Sequence, residues 1–133
     1  MSVSGIRDNI KTALEAISGL RAYDTVPDNL EVPCVFIRPN YGSYDEVASA
    51  AVWIPRFEVT LLVARIGDVG ESQDILDSLI EPTGATSIKA AIEAGTYTGN
   101  ASDVRVTGFR DYGGLVFAGA TFIGVKFDCE ALV

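Results

Sequence analysis

The stretch from Arg56 to Ile66 (RFEVTLLVARI) constrains the fold of this chain more than any other part of the sequence. Its apolar residues fall at every second position, at Phe57, Val59, Leu61 and Val63. Side chains of a β-strand alternate between the two faces of a sheet with this period. The stretch therefore predicts a strand with one face in the hydrophobic core.

The opposite face of this strand predicts an inner position in the sheet. It begins polar and then becomes apolar, in the order Arg56, Glu58, Thr60, Leu62 and Ala64. A strand that is apolar on both faces needs cover on both sides. We expect the cover at Leu62 and Ala64 to come from a short helix predicted after Ser87 or from a long loop over 40–52 or, in a ring, from a neighbouring subunit.

Length and composition predict one soluble domain. The chain has 133 residues, of which 48% are hydrophobic and 21% are charged, as is typical of a single globular domain. No apolar run reaches the roughly 20 residues needed to cross a bilayer. The N-terminal segment lacks the basic and apolar regions of a secretory signal. We therefore expect a protein of the cell interior with no membrane partner.

Charge and residue usage exclude several functional classes. The net charge is −8 and no basic tract occurs, whereas tight nucleic-acid binding needs clustered Lys and Arg. The chain has no histidine, which removes Ser-His-Asp and Cys-His catalysis and the usual zinc sites. Cys34 and Cys129 lie in strand-like runs and predict free, buried thiols. These patterns predict neither an enzyme nor a cofactor.

Three helix patterns and several further strand patterns surround the central strand. Helices are predicted over about 4–18, over 68–80 and over a short segment capped by Thr86 or Ser87. Further strands are predicted over 20–23, 33–38, 104–109 and 115–129, with a hairpin turn at 111–114. The resulting fold class is α+β, a mainly antiparallel or mixed sheet flanked by two or three helices in a single domain.

The segment 40–52 (NYGSYDEVASAAV) predicts a long loop. It is rich in small and polar residues but contains Tyr41 and Tyr44 and leads into Trp53. Aromatic side chains are enriched at protein interfaces. Two interpretations are open: these aromatic residues pack on their own domain, or they contact a partner.

The second predicted helix carries a row of carboxylates on one side, at Glu71, Asp74, Asp77 and Glu81. Such a row can bind a divalent cation through oxygen ligands or supply paired acids for hydrolysis. More commonly a row of this kind is a solvated helix face, and the charge pattern favours that interpretation.

The order of the predicted elements and the amino-acid sequences of several segments resemble those of a known protein family. The resembling segments are GLRAYDTVPDNLEVPCVFIRP, WIPRFEVTLLVAR, SQDILDSLI, TSIKAAIEAG, VRVTGFRDYG and LVFAGATFIGVKFD. Together they cover nearly the whole chain and contain no catalytic motif. With these segments in this order, the chain resembles the tail-terminator (tail-completion) proteins of long-tailed bacteriophages. That family includes the tail terminator of phage lambda.

The resemblance implies an α/β subunit of a homo-oligomer, a hexameric ring at the end of the tail tube. Such a ring contacts the tail-tube protein, stops tube polymerisation and offers a surface to the head-completion or neck protein. It implies a location in the virion tail after assembly in the bacterial cytoplasm, and no cofactor. An acidic lumen would let DNA pass without specific binding.

Within such a ring, the chain offers two groups of candidate site residues. The candidate interface residues are Tyr41, Tyr44, Trp53 and Leu62. The candidate lumen-facing acids are Glu71, Asp74 and Asp77. Two alternatives remain: another neck, connector or tail-tube subunit of a phage, and a metal-dependent enzyme or ligand-binding module that uses the acidic helix.

Overall fold

A five-stranded mixed sheet and three helices make up the part of the chain that the structure describes. This structure is a computed structural model, and it describes residues 3–23, 31–44, 53–65, 69–117 and 119–132. The elements are α1 (Val3–Leu14), β1 (Arg21–Tyr23), β2 (Cys34–Tyr44), β3 (Trp53–Arg65), α2 (Val69–Ile80), α3 (Ile88–Glu93), β4 (Asp103–Phe117) and β5 (Ala120–Leu132). The predicted α+β class is confirmed.

The strands lie in the order β1-β2-β3-β5-β4. β1 pairs with β2 in parallel, and the other neighbours are antiparallel. β3, the strand predicted from the alternating stretch, lies between β2 and β5 in the middle of the sheet. The predicted inner position of this strand is therefore confirmed.

The main hydrophobic core lies between one face of the sheet, here called the first face, and the helices. Ile6, Ile10 and Leu14 of α1 are fully buried in it, because residues at this spacing share one side of a helix. The alternating residues of β3, such as Val59 and Leu61, meet them from the sheet. Burial of each such side chain contributes about 1.5–3 kcal/mol to folding.

The opposite, second face carries a smaller hydrophobic cluster that contains no helix residue among those described. Its buried members are Cys34, Phe36, Leu62 and Phe122. The rings of Phe36 in β2 and Phe117 in β4 lie 5.2 Å apart, although a flat sheet would separate strands in these positions by about 14 Å. The far end of the β4–β5 hairpin therefore folds over the second face.

This curvature covers Leu62, one of the candidate interface residues, within the subunit. Leu62 is fully buried, because strands of the same chain cover it. The register shifts between Leu62 and Ala64, and Ala64 packs against the main core rather than beside Leu62. The apolar character of both faces of β3 thus reflects intramolecular cover and a β-bulge.

The prediction of a hairpin turn at 111–114 is wrong, because β4 continues through these residues to Phe117. Asp111 has φ 58 and Gly113 has φ 133, and both adjoin a register shift between Arg110 and Gly113. These turn-type residues form an irregularity that bends the strand instead of reversing it. The chain reverses only beyond Phe117, at Gly119, where φ is 80.

The loop predicted over 40–52 is shorter at its beginning than the sequence indicated. Residues 40–44 continue β2, and Tyr44 pairs with Trp53 at the start of β3. Antiparallel pairing with 53–56 satisfies the backbone hydrogen-bonding groups of this segment, which therefore forms a strand in spite of its small and polar residues. Residues 45–52 lie outside the described residues.

Candidate functional site

A group of charged side chains occupies the second face at the end away from the hydrophobic cluster. We call this group the charged cluster, and it consists of Arg38, Arg56, Glu58, Arg110, Lys126, Asp128 and Glu130. The registers place Glu58 opposite both Arg38 and Asp128, and Arg110 opposite Lys126. Side chains that face each other across strands lie close enough to interact, so four neighbouring strands converge on one site.

Glu58 of β3 is the centre of the charged cluster. Its side chain is only 4% exposed, and a buried carboxylate needs charged partners. Its Oε1 accepts from Arg38 Nη2 at 2.9 Å and from Arg38 Nε at 3.1 Å, while Lys126 Nζ lies 3.8 Å away. Its Oε2 accepts from Arg110 Nη2 at 2.5 Å. Both carboxylate oxygens are therefore occupied.

The pKa of Glu58 reflects this arrangement. Burial acts to raise the pKa, but the hydrogen bond from Arg110 and the charges of Arg38 and Lys126 outweigh it, so the pKa lies below its ordinary value. The carboxylate is therefore ionised at neutral pH and held on both sides by guanidinium groups. A general acid or base needs a pKa near the working pH, which Glu58 does not offer.

Arg110 links three strands of the sheet. From β4 its Nε donates to Asp128 of β5 at 3.1 and 3.2 Å, and its Nη2 reaches Glu58 of β3. Its Nη1 lies 3.0 Å from Asp111 Oδ2. The hydrogen bonds to Asp128 and then Glu58 raise the pKa of Arg110 further. The side chain therefore acts as a fixed cation that fastens the bent strand β4 to the sheet.

Two grooves flank the charged cluster. The polar groove has a volume of about 330 Å³ and is lined by Arg56, Phe57, Thr107, Arg110, Asp128, Cys129 and Glu130. The amphipathic groove has a volume of about 240 Å³ and is lined by Phe36, Arg38, Glu58, Thr60, Leu62, Leu115, Val116, Phe117 and Lys126. The amphipathic groove combines an apolar wall with two cations, Arg38 and Lys126, that lie against the Glu58 carboxylate.

The structure brings Tyr41, Tyr44 and Trp53 to one end of the β2–β3 hairpin. Tyr44 pairs with Trp53, and Tyr41 pairs with Arg56. The side chains of these three aromatic residues lie outside the described part of the structure. Leu62 lies further along β3, opposite Cys34, so the structure does not group it with them.

The predicted acidic row lies on α2. Asp74 and Asp77 are exposed, and the Glu71 side chain lies outside the described part. Asp77 Oδ1 accepts a hydrogen bond from Tyr112 Oη at 2.6 Å, and this bond is the main reason why the pKa of Tyr112 is raised. Within the described ranges, no group of three or more His, Cys, Asp or Glu side chains is arranged to hold a metal ion.

Cys34 and Cys129 are free and buried, which confirms the prediction from their strand-like surroundings. Burial raises the pKa of Cys34 to about 11 and the pKa of Cys129 to about 12. Because the thiolate is the reactive form of cysteine, both side chains are chemically inert near neutral pH.

The sequence interpretation did not identify the charged cluster as a site. Glu58 was assigned only to the polar side of a strand. Charged residues alternate over 56–58 and again over 126–130, and this repeated spacing was an available signal. The strand order, which makes these two segments neighbours, was the missing information.

Comparison with known proteins assigns no family to this chain. A scan against protein-family models gave no match, and a search of curated proteins gave no significant match. Among the described residues, no helix is long and apolar enough to span a membrane. The function must therefore be inferred from the residues and their arrangement.

Proposed function

We propose that this chain is a structural subunit of a long-tailed bacteriophage, which forms a hexameric ring at the end of the tail tube. The ring stops tube polymerisation and presents a surface to the head-completion or neck protein. It belongs to the virion tail and assembles in the bacterial cytoplasm. The resemblance of the sequence to tail-terminator proteins motivates this proposal.

One observation carries the proposal: the second face of the sheet has no helix on it among the described elements. All three helices contribute to the core on the first face, whereas the hydrophobic cluster on the second face contains none of their residues. The second face presents the charged cluster and the amphipathic groove instead. Partly buried apolar side chains, among them Leu115 and Phe117, lie there beside charged residues. Apolar surface rimmed by polar residues is typical of interaction sites, so this face supports a role in assembly.

The edge of the sheet supports the same role. β4 is a 15-residue edge strand, and long edges are templates for pairing with another chain. Near its beginning, the Val104 N–H donates to Asp103 and the Val106 N–H donates to Glu93. Further along, Phe109 and Val116 are exposed apolar residues, which favours contact with a partner there.

The chemistry of the chain favours a structural role over an enzymatic one. The chain has no histidine, and the pKa of Glu58, its most enclosed carboxyl group on the second face, lies below the ordinary value. In the proposed ring the net charge of −8 lets DNA pass without specific binding. The exposed Asp74 and Asp77 then belong to the lumen surface or to a contact between copies.

The test is assembly of the purified full chain, alone and with tail tubes. Native mass spectrometry and light scattering should give a hexamer, and negative-stain images should show rings that cap the ends of tubes. A monomer at high concentration, together with bare tube ends, would contradict the proposal. Long filaments in place of closed rings would identify a tail-tube subunit instead.

A further inference from the structure

We infer that two copies of this chain pair through the edge strand β4, antiparallel and about a two-fold axis at the bend of that strand. The partner of the free edge is therefore the same strand of a second copy. This inference goes beyond the proposed ring, because a two-fold contact closes on itself after two copies, whereas a cyclic ring repeats a head-to-tail contact.

Exposed apolar side chains are concentrated on β4. Five large apolar side chains are exposed in the described part of the chain, and three of them, Phe109, Tyr112 and Val116, belong to this strand. Phe109 is 50% exposed and Val116 is 76% exposed. Single exposed apolar residues are ordinary on a protein surface, but a group of them marks an interaction site.

Phe109 and Val116 lie on the same face of the sheet. Phe109 pairs with Phe127 of the main core, and the two rings are 6.5 Å apart, so Phe109 lies on the first face. Val116 lies between Leu115 and Phe117, which pack against the cluster on the second face. Alternation along the strand therefore turns Val116 toward the first face as well.

The backbone of this edge is open to a partner over 108–117. An antiparallel strand turns alternate N–H and C=O groups away from its neighbour, and β5 is the only described strand that pairs with β4. At the beginning of β4 the Val106 N–H is satisfied by Glu93. Among the described residues, no side chain bonds to the backbone of 108–117, so an added strand can satisfy these groups.

The shape of the edge selects β4 of a second copy. β4 bends at the register shift between Arg110 and Gly113. On the second face Arg110 fixes this bend to Asp128, and on the first face Tyr112 fixes it to Asp77 of α2. A straight strand can follow the edge on only one side of the bend. A second β4 has the same bend, and a two-fold axis through it makes both strands bend at the same place and toward the same face.

The apolar side chains complement one another in this register. With the axis between Tyr112 and Gly113, Phe109 of each copy lies beside Val116 of the other, because both residues are equally far from the axis in the sequence. Aromatic and β-branched residues form favourable cross-strand pairs. Tyr112 faces Gly113, whose missing side chain leaves room for the ring.

The charged side chains of the edge also tolerate this register. Arg110 faces Leu115 of the other copy, and Asp111 faces Gly114. No like charges are therefore opposed across the contact, where they would be destabilising. The bonds of Arg110 within its own chain remain in place, because they lie on the side of β5.

Cross-linking between two differently tagged chains tests the pair. One full-length chain carries Val116→Cys and the other carries Phe109→Cys, and a short bismaleimide joins thiols that lie close together. The native cysteines are buried, so the wild type supplies the background. Leu132→Cys, at a residue that is 37% exposed on the neighbouring strand β5, is the matched control for Phe109→Cys.

We expect Val116→Cys and Phe109→Cys to give mixed dimers at least ten times more efficiently than Val116→Cys and Leu132→Cys. A chain that carries both Val116→Cys and Phe109→Cys should give dimers on a denaturing gel, because a two-fold pair makes both links to one partner. Within one chain these positions are roughly 20 Å apart along the strand, too far for a short reagent. Equal yields for the two mixtures, or a ladder of larger products from the double variant, would overturn the two-fold pair.

Hydrogen exchange tests the edge without cysteines. Protection of the backbone amides over 108–117 should rise with protein concentration in the wild type. Val116→Lys should abolish that rise, because it places a charge in the apolar contact twice, and circular dichroism checks that the chain is folded. Ile75→Lys, at a residue of α2 that is 42% exposed, is the control and should keep the rise. A rise that persists in Val116→Lys would contradict the pair.

The outcomes separate this inference from the proposed function. Rings on tube ends without the cross-link between Phe109→Cys and Val116→Cys would overturn the pair and leave the ring in place. Cross-linked pairs from a chain that leaves tube ends bare would support the pair and contradict the ring.

Discussion

Glu58 shows how one buried side chain can organise a sheet face that no described helix covers. Its carboxylate receives guanidinium groups from β2 and β4 while its own backbone lies in β3. In the observed register Glu58 lies opposite Arg38 and Asp128, and a shift that took it away from its cations would leave a poorly solvated charge without a partner. We therefore expect the charged cluster to favour the observed pairing of these strands.

Replacing Glu58 by Gln should lower the free energy of unfolding by about 2 kcal/mol at pH 7, because hydrogen bonds to charged groups are lost while both arginines stay partly solvated. Urea denaturation measures this change. Glu130→Gln is the control, since Glu130 has a more exposed ion pair with Arg56 at 3.6 Å, and it should change stability by less than about 0.5 kcal/mol.

The difference between wild type and Glu58→Gln should also depend on pH. The folded state lowers the pKa of Glu58, so its contribution is complete above the ordinary value of about 4.3 and is lost as pH falls through the lowered pKa. The two proteins should therefore converge in stability at the acid end of a pH series. A difference that grows as the pH falls would contradict the ion-pair account of Glu58.

Gly124 in β5 is the position where the sheet tolerates no side chain. A Cβ atom there would lie 2.1 Å from the backbone oxygen of Leu61, and backbone cannot move aside cheaply. Gly124→Ala should cost about 3 kcal/mol or more, read from the urea midpoint. A Cβ atom added at Gly108 in β4 meets nothing within 4 Å, so Gly108→Ala serves as the control. Equal losses of stability in the two variants would refute the close approach of Gly124 to the Leu61 backbone.

At the scale of elements, the short helix α3 depends on its N-terminal cap. It has only six residues, too few for a helix to persist by propensity alone. Ser87 Oγ accepts from the Ala90 N–H at 3.0 Å and donates to the Glu81 carbonyl at 2.5 Å, so one hydroxyl joins α3 to the end of α2. Ile88 and Ile92 then fix the helix in the core.

Ser87→Ala should destabilise the protein by about 1–2 kcal/mol, because a buried cap and a second hydrogen bond are both removed. Thr86→Ala is the neighbouring control, since the Thr86 hydroxyl is exposed and reaches the Ser78 carbonyl at 3.3 Å. Thermal unfolding followed by circular dichroism compares the two. A larger loss of stability for Thr86→Ala than for Ser87→Ala would show that Ser87 is not the residue that caps α3.

Elements with a strong local pattern were predictable from the sequence. The alternation of β3 and the apolar stripes of α1 and α2 depend only on neighbours in the chain. The helix predicted to about 18 ends earlier, at Leu14, and the chain turns through Gly19, whose φ is 80. At 111–114 the same residue types fit a turn or a bulge, and only pairing with β5 decides between them.

At the scale of the whole molecule, the order of the strands was not predictable from local patterns. The charged cluster exists because β5 lies between β3 and β4, a pairing between segments more than 60 residues apart at Glu58 and Asp128. Likewise, the cover over Leu62 comes from the bend of β4, which no spacing in the sequence indicates. Fold class followed from local periodicity, whereas the site required knowledge of distant contacts.

The position of β5 has a consequence for folding during synthesis. β5 is the last described strand, yet it completes the middle of the sheet between β3 and β4. Until β5 emerges from the ribosome, β3 is an edge strand whose backbone N–H and C=O groups are unpaired next to apolar side chains. Such an edge favours pairing with other nascent chains. The chain can complete its sheet only after residue 132 has been made, so slow translation through 103–132 should prolong the aggregation-prone state.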